Sequence, residues 1–470
     1  MTLLVSITAC ALLFLLFYRY IIAPAFVSPL SKIPNAHFTA PILPVWMWWK
    51  RRAGTQSRTI FSAHEKLGPV VRLGPNEISV NSPAGLRTIY LGGFEKHEWY
   101  SSVFLNYGTP NLVSMLENKP HSVQKRMISN VYSKSYLQTS SDLQLASRTL
   151  LFDRFLPIVH AAALNGTALD VFSLMQGLFM DFTSAYLFGA ANGTDFLRNV
   201  EYRNHWFEVY AGFKYQLPEK RASGEIEKWC LSLCEAAEAF DGSKKSAEGI
   251  STSPVVYARL SQCLEGSDLG PQPKNLIVAS EMLDHLLAGH ETSGITLIYL
   301  MHELSRQPSL QVKLREELLT LSPPLTYPKT YSANPSTEVD ASNCPTNPRS
   351  IDALPLLDAM LQETLRLYAP APGPLPRVTP FSSTPTTIEG HHNIPGGVRI
   401  SSSAYSLHRN AGVFPEPQRW LPERWLESEK GRREEMKRWF WAFGNGGRMC
   451  IGSNLAIQGT ALDRPTINLR

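Results

Sequence analysis

Cysteine is scarce in this chain, net charge is small and strand-like alternation is rare. The six cysteines among 470 residues stand at 10, 230, 234, 263, 344 and 450 with no Cys-x-x-Cys pair. That spacing argues against a zinc module, and the sparseness fits a reducing compartment. Lys and Arg outnumber Asp and Glu by only 45 to 40, too slight an excess for the concentrated basic field of a nucleic-acid binder. One of the few clear β signals is Val70–Val80, read as two short strands about the Gly74-Pro75 turn. Apart from short runs after 375, the rest has helical periodicity, so the fold class is mainly α with small β-sheets (α+β). Hydrophobic residues make up 44% of the chain, ample for a core in one large domain or two average ones.

The one long apolar run is N-terminal. Thr2 to Tyr18 carries no charge, and with Tyr20 to Ala23 it reaches the roughly 20 residues that span a bilayer. A secretory signal is the rival reading, but a basic leading segment and a small-x-small cleavage site are both missing. Residues 1–23 therefore read as a retained anchor. Arg19, Lys32 and Lys50-Arg51-Arg52 follow the run, which places the bulk of the chain in the cytosol and leaves the sequons at Asn165 and Asn192 bare. Pro24, Pro29, Pro34, Pro41 and Pro44 mark residues 24–45 as a stiff hinge that cannot be one continuous helix. Residues 46–470 are the remaining domain. Trp46, Trp48 and Trp49 suit either a membrane interface or buried packing.

Near the C-terminus stands Phe443-Gly444-Asn445-Gly446-Gly447-Arg448-Met449-Cys450-Ile451-Gly452. Glycines let a backbone turn tightly and approach a flat object closely. A helix beginning at Ser453, its N–H groups and nearby Arg448 would stabilise a Cys450 thiolate. A lone cysteine is otherwise most often a small buried hydrophobe. The spacing Phe-x-x-Gly-x-x-x-Cys-x-Gly, with Arg two residues before Cys, resembles the haem-binding loop of the cytochrome P-450 family. The resemblance implies that Cys450 is the axial ligand of a haem b iron, in a loop shaped by Phe443, Gly446, Arg448 and Gly452.

Further stretches carry the same resemblance, which runs from about Ile33 to Gln458. A long helix from about Asn275 to Gln307 holds Ala288-Gly289-His290-Glu291-Thr292-Ser293-Gly294 at its centre. Mid-helix glycines cost about 1 kcal/mol each, and Thr292 can bond the carbonyl four residues back, leaving a polar notch. By resemblance to the oxygen-activation motif, Thr292 and Glu291 deliver protons and Gly289 faces the cofactor. Helix residues His121 and Lys125 match a propionate-binding pair, with Lys in place of the family's Arg; Arg377 is a further propionate contact or a plain surface arginine. Glu363-x-x-Arg366 and Pro422-Glu423-Arg424-Trp425 match the family's structural ion-pair network, with Trp for the usual Phe. The helix Phe179–Gly189 reads as core, and the proline- and serine-rich stretch 322–350 as an exposed insertion.

The resemblance implies a membrane-anchored monooxygenase in the endoplasmic reticulum, most like fungal secondary-metabolism members. It would act on an apolar small molecule roofed by residues 95–118 and the aromatic stretch 202–218, with electrons from an NADPH-dependent flavoprotein reductase. Lys430, Arg432, Arg433, Lys437 and Arg438 suit an acidic partner or a solvated face. The alternatives are a reductase-independent isomerase or dehydratase of the family, which Glu291 and Thr292 argue against, or an impaired haem-binding protein. The last rests on the C-terminus. The chain stops 20 residues after Cys450, and Gly459 and Asp463-Arg464-Pro465 are expected to break the following helix, as in a truncated product.

Overall fold

The computed structural model describes residues 2–215, 220–246, 249–266, 273–322, 348–427 and 429–462. The helices used below are α1 (Thr2–Phe17), α2 (Asn118–Ile128), α3 (Val171–Phe188), α4 (Val200–Tyr215), α5 (Lys274–Ser305), α6 (Pro355–Leu367) and α7 (Ser453–Leu462). The main core is helical and centres on α3 packed along α5. Asp170 caps α3, its carboxylate accepting from the Phe172 and Ser173 amides at 3.0 and 3.4 Å, and Gly189 ends it at φ 86°. Such a cap satisfies donors that the first turn leaves orphaned, and the glycine takes a backbone angle other residues resist.

The mid-helix glycines of α5 are explained by this packing. A Cβ on Gly289 would lie 2.6 Å from Thr183 Cγ2, and one on Gly294 would lie 2.7 Å from Gln176 Nε2. Both missing side chains are filled by α3, so Gly289 turns its open side to the core. The helix–helix contact offsets the cost of glycine in a helix interior.

Strands β1 (Val70–Gly74), β2 (Glu77–Val80), β3 (Arg377–Val378) and β6 (Arg399–Ser401) form one sheet in the order β1-β2-β6-β3. β1 and β2 pair antiparallel about the expected turn, with Val70 opposite Val80, whereas β2 and β6 run parallel, with Ile78 opposite Ile400. β4 (Thr386–Ile388) and β5 (His391–Ile394) make a separate hairpin. A second core cluster joins Val70, Ile78, Val80 and Ile400 to Tyr90, Phe414, Trp425, Trp439 and Trp441. It thereby connects the sheet to the stretch preceding Cys450.

The N-terminal segment departs from expectation. The helix continues past Pro24 to Val27 in wider π-type turns, so Leu4–Val27 is long and apolar enough to cross a membrane and is unburied. A wider turn moves the i−4 carbonyl away from the proline ring, which explains how Pro24 is tolerated. The stretch to 45 is packed onto the sheet region. Leu30, Ile33 and Ala40 are buried. Arg72, fully buried in β1, donates to the carbonyls of Pro24 at 2.9 Å, Pro75 at 2.8 Å and Gly74 at 3.2 Å, with Pro41 at 3.5 Å. Trp48 and Trp49 are exposed, while Trp46 stacks on His37.

At the other end α7 passes through Gly459, whose missing Cβ leaves room for Phe182. Residues 463–470, with Pro465, lie outside the described residues, as does most of the 322–350 stretch.

Candidate active site

The loop before α7 is closed by its own backbone, the Cys450 amide donating to the Phe443 carbonyl at 2.9 Å. Gly444 and Gly446 have φ of 69° and 72°, and a Cβ on Gly446 would lie 2.5 Å from the Tyr90 carbonyl oxygen. Gly446 is thus required both by its backbone angle and by close approach to Tyr90. Gly452 has only the Cys450 sulfur near its open side.

Cys450 is exposed by area. Even so, desolvation by the surrounding protein raises its thiol pKa, with Asp284 acting in the same direction, against the Gly452 and Ser453 amides and the Lys125 ammonium. The sulfur is thus reachable from outside and yet hemmed in by protein. Amides at the start of α7 and one cation are the groups that favour its thiolate.

Lys125 holds the loop, its Nζ donating to the carbonyls of Met449 at 2.8 Å and Gly447 at 3.1 Å. Arg448 turns from the sulfur. Its guanidinium donates to the Met115 and Leu116 carbonyls, both at 2.8 Å, and to Asn118 at 3.1 Å. The expected neighbours of the sulfur are therefore exchanged: Lys125 is the cation acting on it, and Arg448 faces the cation group described next.

That group is Lys96, His121, Arg377 and Arg448. Arg377 is buried, lying over the rings of Tyr90 and Tyr100 at 4.9 and 5.7 Å, and is no surface arginine. Lys96, also buried, donates to the Val113 and Leu112 carbonyls at 2.7 and 3.3 Å. Burial, with Arg448, Lys96, Lys125 and Arg377 nearby, pulls His121 down to about 3. Burial and the Arg448 and Arg377 charges push Lys96 well below its ordinary value. Among the described residues, Lys96, Arg377 and Arg448 form no salt bridge with a carboxylate. Buried Arg377 and half-buried Arg448, converging without such a partner, suit a bound anion.

A contrasting ion pair lies beneath. On α6, Glu363 and Arg366 are both fully buried. Arg366 grips the Glu363 carboxylate at 2.7 and 2.8 Å and also bonds the carbonyls of Pro417, His408 and Arg419. Glu363 further accepts from Arg424 Nε at 3.1 Å, the Leu421 amide at 2.9 Å and Trp425 Nε1 at 2.9 Å. Burial alone would raise the Glu363 pKa, but the Arg366 and Arg424 bonds and charges outweigh it and hold it down. His408 links this knot to the cysteine loop, with Nδ1 2.8 Å from the Arg366 carbonyl and Nε2 accepting from the Trp441 amide at 2.7 Å.

On α5, the Thr292 hydroxyl donates to the Ala288 carbonyl at 2.8 Å, as its place in the helix suggests. The Glu291 carboxylate accepts from the Tyr210 hydroxyl at 2.6 Å. Residues 95–118 are fastened to α5 by polar bonds, unlike the apolar roof expected: Asn106 donates to the Ser280 carbonyl at 3.2 Å and Ser280 to the Thr109 carbonyl at 2.8 Å. Of α4's aromatic residues, Tyr202, Trp206, Phe207, Tyr210 and Phe213 pack against the main core.

The family model described as Cytochrome P450 matches residues 257–462. The protein named "Cytochrome P450 monooxygenase avaI" from Aspergillus versicolor is 31% identical over 421 residues, 86% of this chain and 95% of the relative. The chain belongs to the cytochrome P450 family. Similar also are "Cytochrome P450 monooxygenase aflU" of Aspergillus parasiticus, 26% identical over 94% of this chain and 86% of its own length, and "Cytochrome P450 monooxygenase orf2" of Aspergillus niger, 25% identical over 92% and 84%.

This P450 is a haem monooxygenase, and its residues fit the cofactor. The reachable Cys450 sulfur suits the iron, and the cation group suits carboxylates. Sequence reasoning about this P450 missed Lys96, His408 and Tyr210. Lys96 comes from a segment with no local pattern, Tyr210 was read within the aromatic stretch 202–218 and not as a partner of Glu291, and His408 acts through both ring nitrogens, which no spacing reveals. Trp for Phe at 425 was visible, but its added donor to Glu363 was not.

Proposed function

We propose that this P450 is a membrane-anchored haem-thiolate monooxygenase of fungal secondary metabolism. It acts on an apolar small molecule at the endoplasmic reticulum, with electrons from an NADPH-dependent flavoprotein reductase. The observation carrying the reading is the accessible Cys450 sulfur in a glycine loop, flanked by cations that form no carboxylate salt bridge. Haem b, when bound, would supply the O₂ activation by which one oxygen atom enters the substrate. Cys450 would give it the thiolate ligand. Lys96, His121, Arg377 and Arg448 would hold its propionates, and Lys125 fixes the loop backbone beside the sulfur. Thr292 Oγ1, which donates to the Ala288 carbonyl, accepts a proton on its free lone pairs and passes its own on by rotating. Glu291 is the acidic neighbour that replenishes it. Helix Leu4–Val27 anchors the chain, in keeping with the basic residues that follow it. The basic helix 430–439 is the docking face for the reductase, although Lys437 and Arg438 already pair with Glu434 and Glu435.

The test is a carbon-monoxide difference spectrum of the reduced protein. A strongly red-shifted Soret band is expected for the wild type, lost in Cys450→Ala and kept in Cys263→Ala. A red-shifted band retained by Cys450→Ala refutes the assignment.

A further inference from the structure

Glu281, on α5, is a fully buried carboxylate with no part in the proposed chemistry. Both of its oxygens are engaged. Oε2 accepts from the Leu112 amide at 3.1 Å and from Gln124 Nε2 of α2 at 2.6 Å. Oε1 lies 3.0 Å from His285 Nε2, and His285 Nδ1 is 2.8 Å from the hydroxyl of buried Tyr132. Burial alone would lower the His285 pKa, but contact with Glu281 and the charges of Glu281 and Asp284 outweigh it and raise it. The carboxylate thus favours an imidazolium one turn along its own helix, which fixes it on that side.

On its other side Glu281 holds the loop that aims two of the cations. The Leu112 and Val113 carbonyls of this loop accept from Lys96, and those of Met115 and Leu116 accept from Arg448. The loop satisfies several amides by itself. Val113 and Ser114 donate to Asn111 Oδ1 at 3.1 and 2.9 Å, and Met115 donates to the Asn111 carbonyl at 2.9 Å. Those bonds give the loop its shape without placing it on α5. Asn111 Nδ2 reaches Ser280 Oγ only at 3.4 Å, whereas the Leu112 amide meets a charged oxygen, which makes the stronger bond. Leu112 also carries a carbonyl that accepts from Lys96, so turning this residue turns both. Gln124 stands one turn after His121 on α2, so the oxygen that sets the loop also sets the helix carrying His121.

We propose that Glu281 is a positioning residue for the anion-binding group: from inside α5 it fixes the Leu112 amide and Gln124, and through them the aim of Lys96, Arg448 and His121. Its charge also acts on Lys96, against the burial that pulls that ammonium down. That these cations seat haem carboxylates rests on the reading above, whereas the bonds from Glu281 to loop and helix do not.

The test crosses reach against charge in full-length protein. Glu281→Asp keeps the charge but retracts the oxygens by one methylene. Glu281→Gln keeps the length and an acceptor for Leu112 and Gln124, and its amide can donate to neutral His285, but the charge is gone. Hydrogen–deuterium exchange of residues 111–118, with haem and without, is expected to quicken at least about tenfold in Glu281→Asp and less than about threefold in Glu281→Gln, the scale of a bond lost against a bond weakened. Exchange of residues 363–367 should stay at the wild-type rate in both, which sets positioning apart from general loosening. The reverse order of the two variants, or no change in either, overturns the proposal. Cofactor retention is the second readout. Glu281→Asp should release haem at least about tenfold faster than wild type does, yet release haem dimethyl ester, which has no free carboxylates, at the wild-type rate. Equal losses of the two cofactors overturn the link from Glu281 to the cations. Wild type holding the ester as tightly as haem overturns the carboxylate seat itself, and with it the reading above, whatever the exchange of residues 111–118 shows.

Discussion

Two groups of buried cations sit near the cysteine loop and are completed differently. In the knot on α6, Arg366 and Arg424 meet Glu363, and the carboxylate has donors from Arg366, Arg424, Leu421 and Trp425. In the other group, Lys96, Arg377 and Arg448 rest on carbonyls and aromatic faces. The first is complete within the chain and so belongs to folding. The second carries charge that the described residues do not neutralise, and so belongs to binding. Haem-free stability therefore separates the two groups, and their variants are ordered below by its expected change.

Glu363→Ala leaves Arg366 and Arg424 buried without their carboxylate and should cost about 3–5 kcal/mol, as breaking a buried pair does. Urea unfolding of haem-free protein measures it, and a loss below 1 kcal/mol would contradict the knot. Trp425→Phe restores the family's usual residue but removes one donor to a buried charge, so about 1–3 kcal/mol should be lost by the same measurement.

Acid acts on both groups. Burial, chiefly, pulls His408 to about 3 and His64 to about 4 from the ordinary 6.5, and the buried His121 to about 3. Below pH 6.5 the unfolded chain binds protons that the folded chain refuses. Stability is thus full above 6.5 and falls as pH drops toward 3, with a slope of about 1.4 kcal/mol per pH unit for fully buried His408. His408→Gln should flatten that slope with or without haem. The His121 part should be seen only without haem, because bound propionates favour the charged ring.

The smallest expected change is the most discriminating. Arg448→Ala and Arg377→Ala lose hydrogen bonds and ring contacts but also relieve repulsion among like charges, so haem-free unfolding should shift by only about 1 kcal/mol, while haem is retained at least tenfold less well. Haem dissociation to an apomyoglobin acceptor reads this, and unchanged retention would return both arginines to a purely structural role. Thr292→Ala should leave stability and haem content alone. It should change only the ratio of NADPH consumed to product formed, by up to roughly 10²-fold.

The same contrast explains what the sequence made legible. Glu363 and Arg366 are three apart on one helix, and Cys450 stands among glycines at fixed spacing, so local geometry writes both into the chain. The strands about Gly74-Pro75 were readable for the same reason. The cation group draws Lys96, His121, Arg377 and Arg448 from four separate segments, and Lys96 reaches it from a loop without periodicity. The two mid-helix glycines were visible, but which side they faced depended on Thr183 and Gln176 of a different helix. Pro24 looked like a helix end because the sequence does not show that a wider turn relieves its clash.

Arg72 has a mechanical consequence. Its guanidinium fastens Pro24, at the base of the apolar helix, to the first strand of the catalytic domain. A flexible leash would let the domain tumble above a bilayer and present any face to it. In a chain anchored in a bilayer, a riveted joint would transmit torque, and the tilt of the helix would become the tilt of the domain. Arg72→Ala would convert the rivet to a leash without touching a residue of the site.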